Sequence, residues 1–398
     1  MLLYDTMTQK KEAFTPSTEA VTIYVCGITP YDTTHLGHAF TYVFYDVLVR
    51  YLRYLGHVTC YVQNITDVDD DILKRSREIG VAWDRLAAEQ TQRYQQDMTA
   101  LNVLPPDVFP RASQEITKII DITTMLLEKG YAYRSNGNVY FQVRRDPSYG
   151  RLSHLPQEDM LPIANQRGNN PGDPHKRNPL DFVLWQHSKP DEPRWESPWG
   201  LGRPGWHIEC SAMAIRYLGN TIDIHGGGSD LVFPHHESEI AQSENYTGRA
   251  PFVRHWVHTA MVCLGGEKMS KSLGNLVMVR DLLGRYSTDA LRLLLLSHHH
   301  TEPWSYEEPA LEEAERLAQM LRAASHGPAK VLPISPAETD EGAAFLAAME
   351  DDLDTPRAVG VLREVAERTL KRRGRGPSAA QARYLLRELS TILGLRLA

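Results

Sequence analysis

The chain has 398 residues, of which 42% are hydrophobic and 23% charged, and its formal net charge is -7 at pH 7. This length exceeds one ordinary domain, and no apolar run reaches the roughly 18 residues that cross a bilayer. The first residues contain no signal-peptide core, so a cytoplasmic protein without membrane contact is expected. The negative charge disfavours general attraction to nucleic acid but is compatible with a local basic patch.

The four cysteines, Cys26, Cys60, Cys210 and Cys263, are scattered and form no C-x-x-C pair. A disulfide scaffold and a zinc ribbon are therefore disfavoured, and reduced thiols are expected. Cys60 and Cys263 lie in strand-like surroundings and are predicted to be core residues.

The first predicted unit is a strand over 21–27, a helix over 36–56 and a second strand over 57–65. A strand, helix and strand in this order form a βαβ unit, so a parallel sheet is expected, with ligands at the carboxyl ends of its strands. Further helices are predicted over 67–80, 82–102 and about 113–129.

A hairpin turning at Asn136 and Gly137 and a Gly/Pro/Asn-rich loop over 165–181 suggest an insertion. The strand 221–228 and the helix 235–248 then resume the sheet, and a helix over 279–297 precedes a Pro-rich linker and a final helical segment. The predicted fold is α/β, a Rossmann-like parallel sheet domain with an insertion, followed by a C-terminal helical bundle. The predicted segments are 1–110 (first half of the sheet domain), 111–190 (insertion), 191–262 (second half), 263–325 (a lysine-rich loop and stem-like region), 326–342 (linker) and 343–398 (bundle).

The motif H-x-G-H, from His35 to His38, follows a strand and opens a helix. Free N–H groups and the helix dipole attract phosphate there, and both imidazoles can donate to phosphate oxygens. Gly37 would let a nucleotide approach the backbone closely. Two surface histidines near a turn are the alternative interpretation.

The segment "KMSKS" places Lys268 and Lys271 three residues apart on a glycine-flanked loop. Two ammonium groups could bind a triphosphate and neutralise charge during attack at its α-phosphorus. A solvated basic turn is the alternative.

Four residues have side chains of the types that bind metal ions in proteins and are candidates for one shared site. His235 and Glu239 are four residues apart on one face of a predicted helix, and Cys26 and Cys210 lie near the same expected sheet edge. Two thiolates, an imidazole and a carboxylate would suit zinc, although buried free cysteines are also common.

Two other stretches invite a metal interpretation. The carboxylates of "DVDDD" (67–71) are instead interpreted as stabilising a helix start. The run "SHHHTEPW" (297–304) is interpreted as a loop edge, because adjacent residues on a helix or strand do not share one face.

Five blocks carry a resemblance: "YVCGITPYDTTHLGHA", "YVQNITDVDDDILKRS", "GWHIECSAMA", "DIHGGGSDLVFPHHESEIAQSE" and "EKMSKSLGN". They resemble the cysteinyl-tRNA synthetase superfamily, of class I, over roughly residues 20–320. This resemblance implies an ATP-dependent, AMP-forming ligase that activates L-cysteine, with ATP and Mg²⁺. It also implies one Zn²⁺ ion that recognises the cysteine thiol and is bound by Cys26, Cys210, His235 and Glu239.

The resemblance assigns catalytic roles to His35, His38, Lys268 and Lys271. It assigns substrate or adenylate contacts to Cys26, Gly27, Ile28, Thr29, Thr41, Asn64, Ile65, Thr66, Trp206, Gly228, Ser229 and Asp230. Ordinary capping or turn roles are the alternative for Thr41 and Asn64.

Two branches of the superfamily compete for the acceptor. The loop "CGITPYD" is similar to the mycothiol-pathway ligase, which joins cysteine to the amine of glucosaminyl-inositol, and the loop 165–181 partly resembles that family. The chain also ends about where the bundle should end. An amino sugar is therefore the preferred acceptor, and no protein partner is inferable.

Glu239 and the sequence run around it, "HHESEIAQSE", are similar to the tRNA-charging synthetases, which supports a short cysteinyl-tRNA synthetase as the alternative. A non-catalytic paralogue is a third possibility, disfavoured by the intact histidine, lysine and zinc sets.

Overall fold

The computed structural model describes residues 1–31, 34–269, 274–327, 335–371 and 377–397, without the side chains of Lys268, Pro377 and Ser378. The strands are β1 (Leu2–Asp5), β2 (Lys10–Ala13), β3 (Ala20–Ile28), β4 (Val58–Ile65), β5 (Ala132–Ser135), β6 (Asn138–Phe141), β7 (Phe182–His187), β8 (Gly202–Pro204), β9 (Ile222–Gly228), β10 (Val253–Thr259), β11 (Val262–Leu264), β12 (Glu267–Lys268) and β13 (Trp304–Tyr306). The helices are α1 (Leu36–Tyr54), α2 (Asp70–Ile79), α3 (Trp83–Ala100), α4 (Ile116–Glu128), α5 (Gln157–Gln166), α6 (Trp206–Leu218), α7 (Glu237–Thr247), α8 (Val279–Leu283), α9 (Thr288–Leu296), α10 (Glu308–Ser325), α11 (Asp340–Glu350), α12 (Thr355–Lys371) and α13 (Pro377–Ile392).

The central sheet has the strand order β10-β9-β3-β4, and every neighbouring pair is parallel. Val25 of β3 lies opposite Gln63 of β4 on one side and Gly226 of β9 on the other. The chain leaves β3 toward β4 and later returns to its other side, so the connection direction reverses between β3 and β9. Ligands of parallel sheets bind at the carboxyl ends of the strands at such a switch point. The predicted α/β fold class is confirmed.

Helix α1 is buried along almost its whole length, from Leu36 to Leu52. A helix that is apolar on most of its surface is covered on several sides. One apolar core contains residues of β3, α1, α9 and the later helices, so α1 lies between the sheet and the C-terminal helices. A second core, on the other face of the sheet, joins α4, α6 and the insertion.

The insertion contains an antiparallel sheet of order β5-β6-β7-β8. Its first hairpin turns at Asn136 and Gly137, which both have positive φ, at 49° and 79°. Asn-Gly is the pair that favours this two-residue turn, so the predicted hairpin is confirmed. The sheet continues to Pro204 in β8, past residue 190, where the sequence placed the end of the insertion.

The predicted helix over 279–297 is wrong in one respect, because the chain forms two helices there. Helix α8 ends at Leu283 and α9 begins at Thr288. The Ser287 hydroxyl oxygen accepts a hydrogen bond from Ala290 N, which makes Ser287 the N-cap of α9. Serine in this position satisfies a free N–H of the first turn and starts a new helix.

Cys60 and Cys263 are only partly buried, which corrects their assignment to the core. Cys60 lies on β4, the last strand of the central sheet, and Cys263 lies on the three-residue strand β11. Among the described residues, no helix combines the length and apolar character needed to cross a membrane.

Candidate metal centre and active site

Four buried polar side chains converge at the carboxyl end of β3. Cys26 comes from β3, Cys210 from α6, His235 from the segment before α7, and Glu239 from α7 itself. Their exposed fractions are 5%, 1%, 1% and 0%. These residues are the four that the resemblance implies as zinc ligands, and their ligand atoms all lie within 4.8 Å of one another.

The separations within this cluster suit one ion. Cys26 Sγ lies 3.6 Å from Cys210 Sγ and 3.5 Å from Glu239 Oε1. His235 Nε2 lies 3.2 Å from the same Glu239 oxygen. Two ligands of a tetrahedral Zn²⁺ with bonds of about 2.0–2.3 Å are roughly 3.2–3.8 Å apart. The donor set and its spacing therefore fit a tetrahedral zinc ion.

Burial makes charge costly in this cluster. It raises the pKa of the Cys26 thiol and of the Glu239 carboxyl well above their usual values. It also lowers the pKa of His235 well below its usual value, so this imidazole stays neutral, as a metal ligand must be. A divalent cation among the four groups would offset the cost of ionising the thiols and the carboxyl.

Two further histidines, which the sequence analysis missed, support the cluster. His225 Nε2 lies 2.9 Å from Glu239 Oε2, and His236 Nε2 lies 3.3 Å from Cys26 Sγ. Burial lowers the pKa of His225 to about 3, so the ring is neutral, and in its Nε2–H tautomer it can donate to the Glu239 carboxylate that a metal ion would stabilise. Such partners fix the orientation of metal ligands. The available signals were a histidine inside the apolar strand "IDIHGGG" and the doubled histidine after Pro234.

The chain of contacts continues beyond His236. His236 Nδ1 lies 2.7 Å from His258 Nε2, and His258 Nδ1 lies 2.7 Å from Thr6 Oγ1. On the other side of the cluster, His235 Nδ1 lies 2.9 Å from His207 Nδ1. The orientation of His235 and that of His236 are thus both fixed by a second imidazole.

Glycines let the backbone pass close to the cluster. A Cβ atom on Gly27 would overlap the carbonyl oxygen of Asn64, and one on Gly226 would overlap the carbonyl oxygen of Val257. A Cβ on Gly227 would approach Leu231 to 2.9 Å. Any side chain at Gly27 or Gly226 would force the strands apart at the ends where the cluster sits.

His35 has a local role that the sequence analysis did not predict. It is the N-cap residue of α1, and its side chain accepts hydrogen bonds from Gly37 N at 3.1 Å and His38 N at 3.4 Å. The rings of His35 and His38 stack with centroids 3.7 Å apart. The His35 imidazole therefore already accepts hydrogen bonds from two of the N–H groups that were expected to bind phosphate. The two histidine rings, rather than these N–H groups, are then the groups that can contact a ligand at the switch point of the sheet.

Several predicted substrate contacts bond within the protein. Gly27 N donates to Asn64 Oδ1 at 2.8 Å, and Asn64 Nδ2 donates to Thr66 Oγ1 at 3.2 Å. Thr41 Oγ1 lies 2.7 Å from Thr259 Oγ1, which ties α1 to the end of β10. The side chains of Ile28 and Ile65 lie in the larger core.

A cavity of about 790 Å³ opens beside the cluster, between the sheet domain and the insertion. Thr29, Trp206 and Asp230, three of the predicted contact residues, line it. The Trp206 ring lies 4.3 Å from the His235 ring, so this indole contacts the metal cluster and also lines the cavity. Gly228 and Ser229 lie immediately before Asp230, where β9 ends.

Two family profiles match the chain. The family described as "tRNA synthetases class I (C) catalytic domain" matches residues 13–316, and the family described as "DALR domain" matches residues 344–398. A cysteine–tRNA ligase of Dehalococcoides mccartyi is 46% identical over 400 residues, which cover 100% of this chain and 86% of the relative. The chain belongs to the cysteinyl-tRNA synthetase family. This membership confirms the prediction of an ATP-dependent, AMP-forming ligase.

Other relatives agree with this assignment to the cysteinyl-tRNA synthetase family. A cysteine–tRNA ligase of Escherichia coli O127:H6 is 46% identical over 397 residues, covering 99% of this chain and 85% of the relative. Among solved structures, a methionyl-tRNA synthetase of Mycobacterium tuberculosis in complex with methionyl-adenylate is similar, with a TM-score of 0.65 and 17% identity. This likeness covers 94% of this chain and 90% of that one, and it supports the fold.

The lysine motif of this synthetase-family chain is only partly described. Lys268 belongs to β12, which pairs with β11, and its side chain is outside the described part. Lys271 also lies outside the described residues. The roles of both lysines stay predictions.

Proposed function

We propose that this protein activates L-cysteine with ATP and transfers it to tRNA. The observation that carries the proposal is Glu239, which completes the buried cluster with an oxygen 3.2 Å from His235 Nε2 and 3.5 Å from Cys26 Sγ. A carboxylate in this position is the synthetase-like feature of the sequence. The 46% identity to cysteine–tRNA ligases along the whole chain supports the same acceptor.

The cluster would select the amino acid. Cys26, Cys210, His235 and Glu239 would hold Zn²⁺, and the substrate thiolate would enter as a fifth ligand or displace Glu239. Zinc favours a thiolate over a hydroxyl and would thereby separate cysteine from serine. His225 would hold the Glu239 carboxylate in place through its hydrogen bond of 2.9 Å. Trp206 would cover the ligand His235 on the cavity side.

The first chemical step would be attack of the cysteine carboxylate on the α-phosphorus of ATP, which releases pyrophosphate. His35 and His38, stacked at the start of α1, would donate to the phosphate oxygens, and Lys268 and Lys271 would neutralise the charge that develops there. ATP would enter with Mg²⁺. The Asp230 carboxylate at the end of β9 would accept hydrogen bonds from the ribose hydroxyls.

The second step would bring the acceptor to the adenylate. A terminal ribose hydroxyl of tRNA would attack the cysteinyl carbonyl and release AMP. The cavity of about 790 Å³ would receive the acceptor end, because it lies between Trp206 and the insertion; its lining holds five aspartates beside Arg167, Lys176 and Arg203.

The preference for an amino sugar is not supported. It rested on the loop "CGITPYD", of which Asp32 lies outside the described residues, on the loop 165–181 and on the length of the chain. The comparisons favour the alternative reading, a cysteinyl-tRNA synthetase. Glu239, the synthetase-like feature of the sequence, agrees with tRNA as the acceptor.

The test is acceptor dependence. Purified, zinc-loaded protein is incubated with ATP and cysteine, and AMP release is followed with tRNA, with glucosaminyl-inositol and with neither. We expect tRNA-dependent AMP release together with acid-precipitable cysteinyl-tRNA. A cysteinyl amide formed with the sugar while tRNA stays uncharged would overturn the proposal.

Arg167 is expected to position the nucleotide side of the site. Its Nη1 donates to Asp230 O at 2.7 Å and also to Phe233 O, so one guanidinium from the insertion holds the segment between β9 and His235. Hydrogen bonds to charged groups contribute about 1.5–3 kcal/mol. We expect Arg167→Met to lower kcat/KM for cysteine-dependent ATP–pyrophosphate exchange by about 10-fold or more.

Arg144→Met is the matched control for this variant. Arg144 also belongs to the insertion, but its side chain is exposed and does not line the cavity. Its exchange rate should equal that of the wild type. Equal rates for Arg167→Met and Arg144→Met would show that the carbonyl contacts of Arg167 do not position the site.

A further inference from the structure

A second cluster of metal-ligand side chains lies far along the chain from the first. His299 and His300 belong to the loop between α9 and β13, and Asp352 lies between α11 and α12. His299 Nε2 lies 3.8 Å from Asp352 Oδ2, and His300 Nε2 lies 3.7 Å from Asp352 Oδ1. The run "SHHHTEPW" lies in a loop, as predicted, but the fold gives two of its histidines a common carboxylate.

These distances are too long for hydrogen bonds, which need about 3.2 Å or less. They are nevertheless short enough to be spanned by two metal–ligand bonds of about 2.1 Å each. The gap between the imidazoles and the carboxylate therefore has the size of one bound ion.

His300 is the strongest evidence that something occupies this gap. It is 2% exposed, yet neither of its ring nitrogens has a hydrogen-bond partner within the described residues. Asp352 is fully buried, and its Oδ2 atom is likewise without a described partner. Buried polar atoms are nearly always paired, and leaving one unpaired costs about 1–3 kcal/mol.

The three groups are held in place from outside the cluster. The His300 ring stacks on Phe44, with centroids 4.2 Å apart. His299 Nδ1 lies 2.8 Å from Thr301 Oγ1. An Nδ1–H that donates to this hydroxyl would leave the Nε2 lone pair facing Asp352, as in a metal-ligating histidine, and would replace the long contact of 3.4 Å in which Thr301 N donates to Nδ1.

Asp352 is fixed by the N-terminal hairpin. Its Oδ1 accepts a hydrogen bond from Tyr4 N at 2.7 Å, and its own N donates to Leu2 O at 3.1 Å. Its φ of 61° lies in the left-handed region, where aspartate is tolerated better than most residues. The nearby cation Lys11 is paired with Asp351 at 2.6 Å, so its charge is offset.

We propose that His299, His300 and Asp352 bind a second divalent ion of the first transition row, Zn²⁺ in the cell. Two imidazoles and one carboxylate suit such an ion, and the absence of a thiolate ligand among these three separates this site chemically from the Cys26 cluster. The ion joins the loop before β13 to the corner between α11 and α12, and Tyr4 N ties Asp352 of that corner to β1. It therefore fastens the C-terminal helices to the catalytic part of the chain, whichever acceptor the enzyme uses.

The first test is metal stoichiometry. Full-length protein is saturated with Zn²⁺, freed of unbound ion by gel filtration and measured by elemental mass spectrometry. We expect two ions per wild-type chain and one in His300→Asn and Asp352→Asn. The control His298→Asn should retain two, because His298 stacks on Trp304 and is not part of the cluster. One ion in the wild type, or two in every variant, would overturn the proposal.

The second test separates lost binding from lost folding. In Co²⁺-loaded protein, the Cys26 cluster gives intense thiolate-to-cobalt absorption, whereas the His299 site contributes only weak visible bands. His299→Ala decides the matter if the buried variants fail to fold, because the His299 side chain is 17% exposed. We expect it to keep the thiolate band and to lose the second ion. Retention of that ion would refute the site.

Discussion

Cys210→Ser is expected to lose the zinc ion of the Cys26 cluster and to lower cysteine-dependent ATP–pyrophosphate exchange by at least about 100-fold. Cys210 is 1% exposed and its Sγ atom lies 3.6 Å from Cys26 Sγ, so both sulfurs can contact one ion. Serine preserves the shape of the side chain, but its hydroxyl is a poor ligand for zinc. The measurement pairs the exchange rate with the zinc content of the same preparation.

Cys60→Ser is the control, because Cys60 is half-buried on β4 and outside the cluster. It should keep both zinc and exchange activity. A Cys210→Ser protein with full zinc content and normal exchange would rule out Cys210 as a ligand. A protein that keeps zinc but loses exchange would instead point to a role in substrate contact.

The first βαβ unit could be predicted from the sequence because its pattern is strong. Strand β3 and helix α1 are apolar runs of very different length, and Gly56 follows the helix with a φ of 88°. The hairpin at Asn136 and Gly137 was equally accessible, since this pair has a clear turn preference. Local chemistry alone determines these features.

The break between α8 and α9 could not be predicted from local sequence in the same way. The sequence 279–297 has apolar residues at helical spacing throughout, so periodicity favours one helix. The Ser287 cap and the hydrogen bond from Ser287 N to Glu315 Oε2 of α10, at 2.9 Å, separate the two helices. That partner is 28 residues away in sequence, and no local pattern indicates it.

The four residues of the metal cluster could be assigned to one ion from the sequence only through the resemblance to the cysteinyl-tRNA synthetase superfamily. Its four residues come from three separate parts of the chain, and each alone is compatible with a core residue. His225 and His236 were missed for the same reason, because a single buried histidine has no distinctive spacing. For His35, in contrast, the sequence motif was recognised but the structural role was not. The capping of α1 by its side chain depends on a side-chain rotamer, which the sequence does not determine.

Arg292→Met is expected to lower the free energy of unfolding by about 3–5 kcal/mol. Arg292 of α9 is completely buried, and its Nη2 lies 2.6 Å from Asp46 Oδ2 of α1. Its other donors reach Leu101 O at 2.9 Å and Leu393 O at 2.7 Å. Methionine fills a similar volume but leaves these acceptors without a donor. Urea unfolding, followed by circular dichroism, measures the loss.

Arg50→Met is the matched control, because Arg50 also pairs with Asp46, at 2.9 Å, but its side chain is 14% exposed. Partly exposed ion pairs contribute about 1 kcal/mol or less, so a smaller loss is expected. If both variants lost the same free energy of unfolding, the burial of Arg292 would add nothing to stability. Comparison of the double variant Asp46→Asn/Arg292→Met with the single variant Asp46→Asn separates the ion pair from the two carbonyl contacts, because only the ion pair involves Asp46. If most of the loss persists without the Asp46 charge, the stability of this junction rests on the carbonyl oxygens of Leu101 and Leu393.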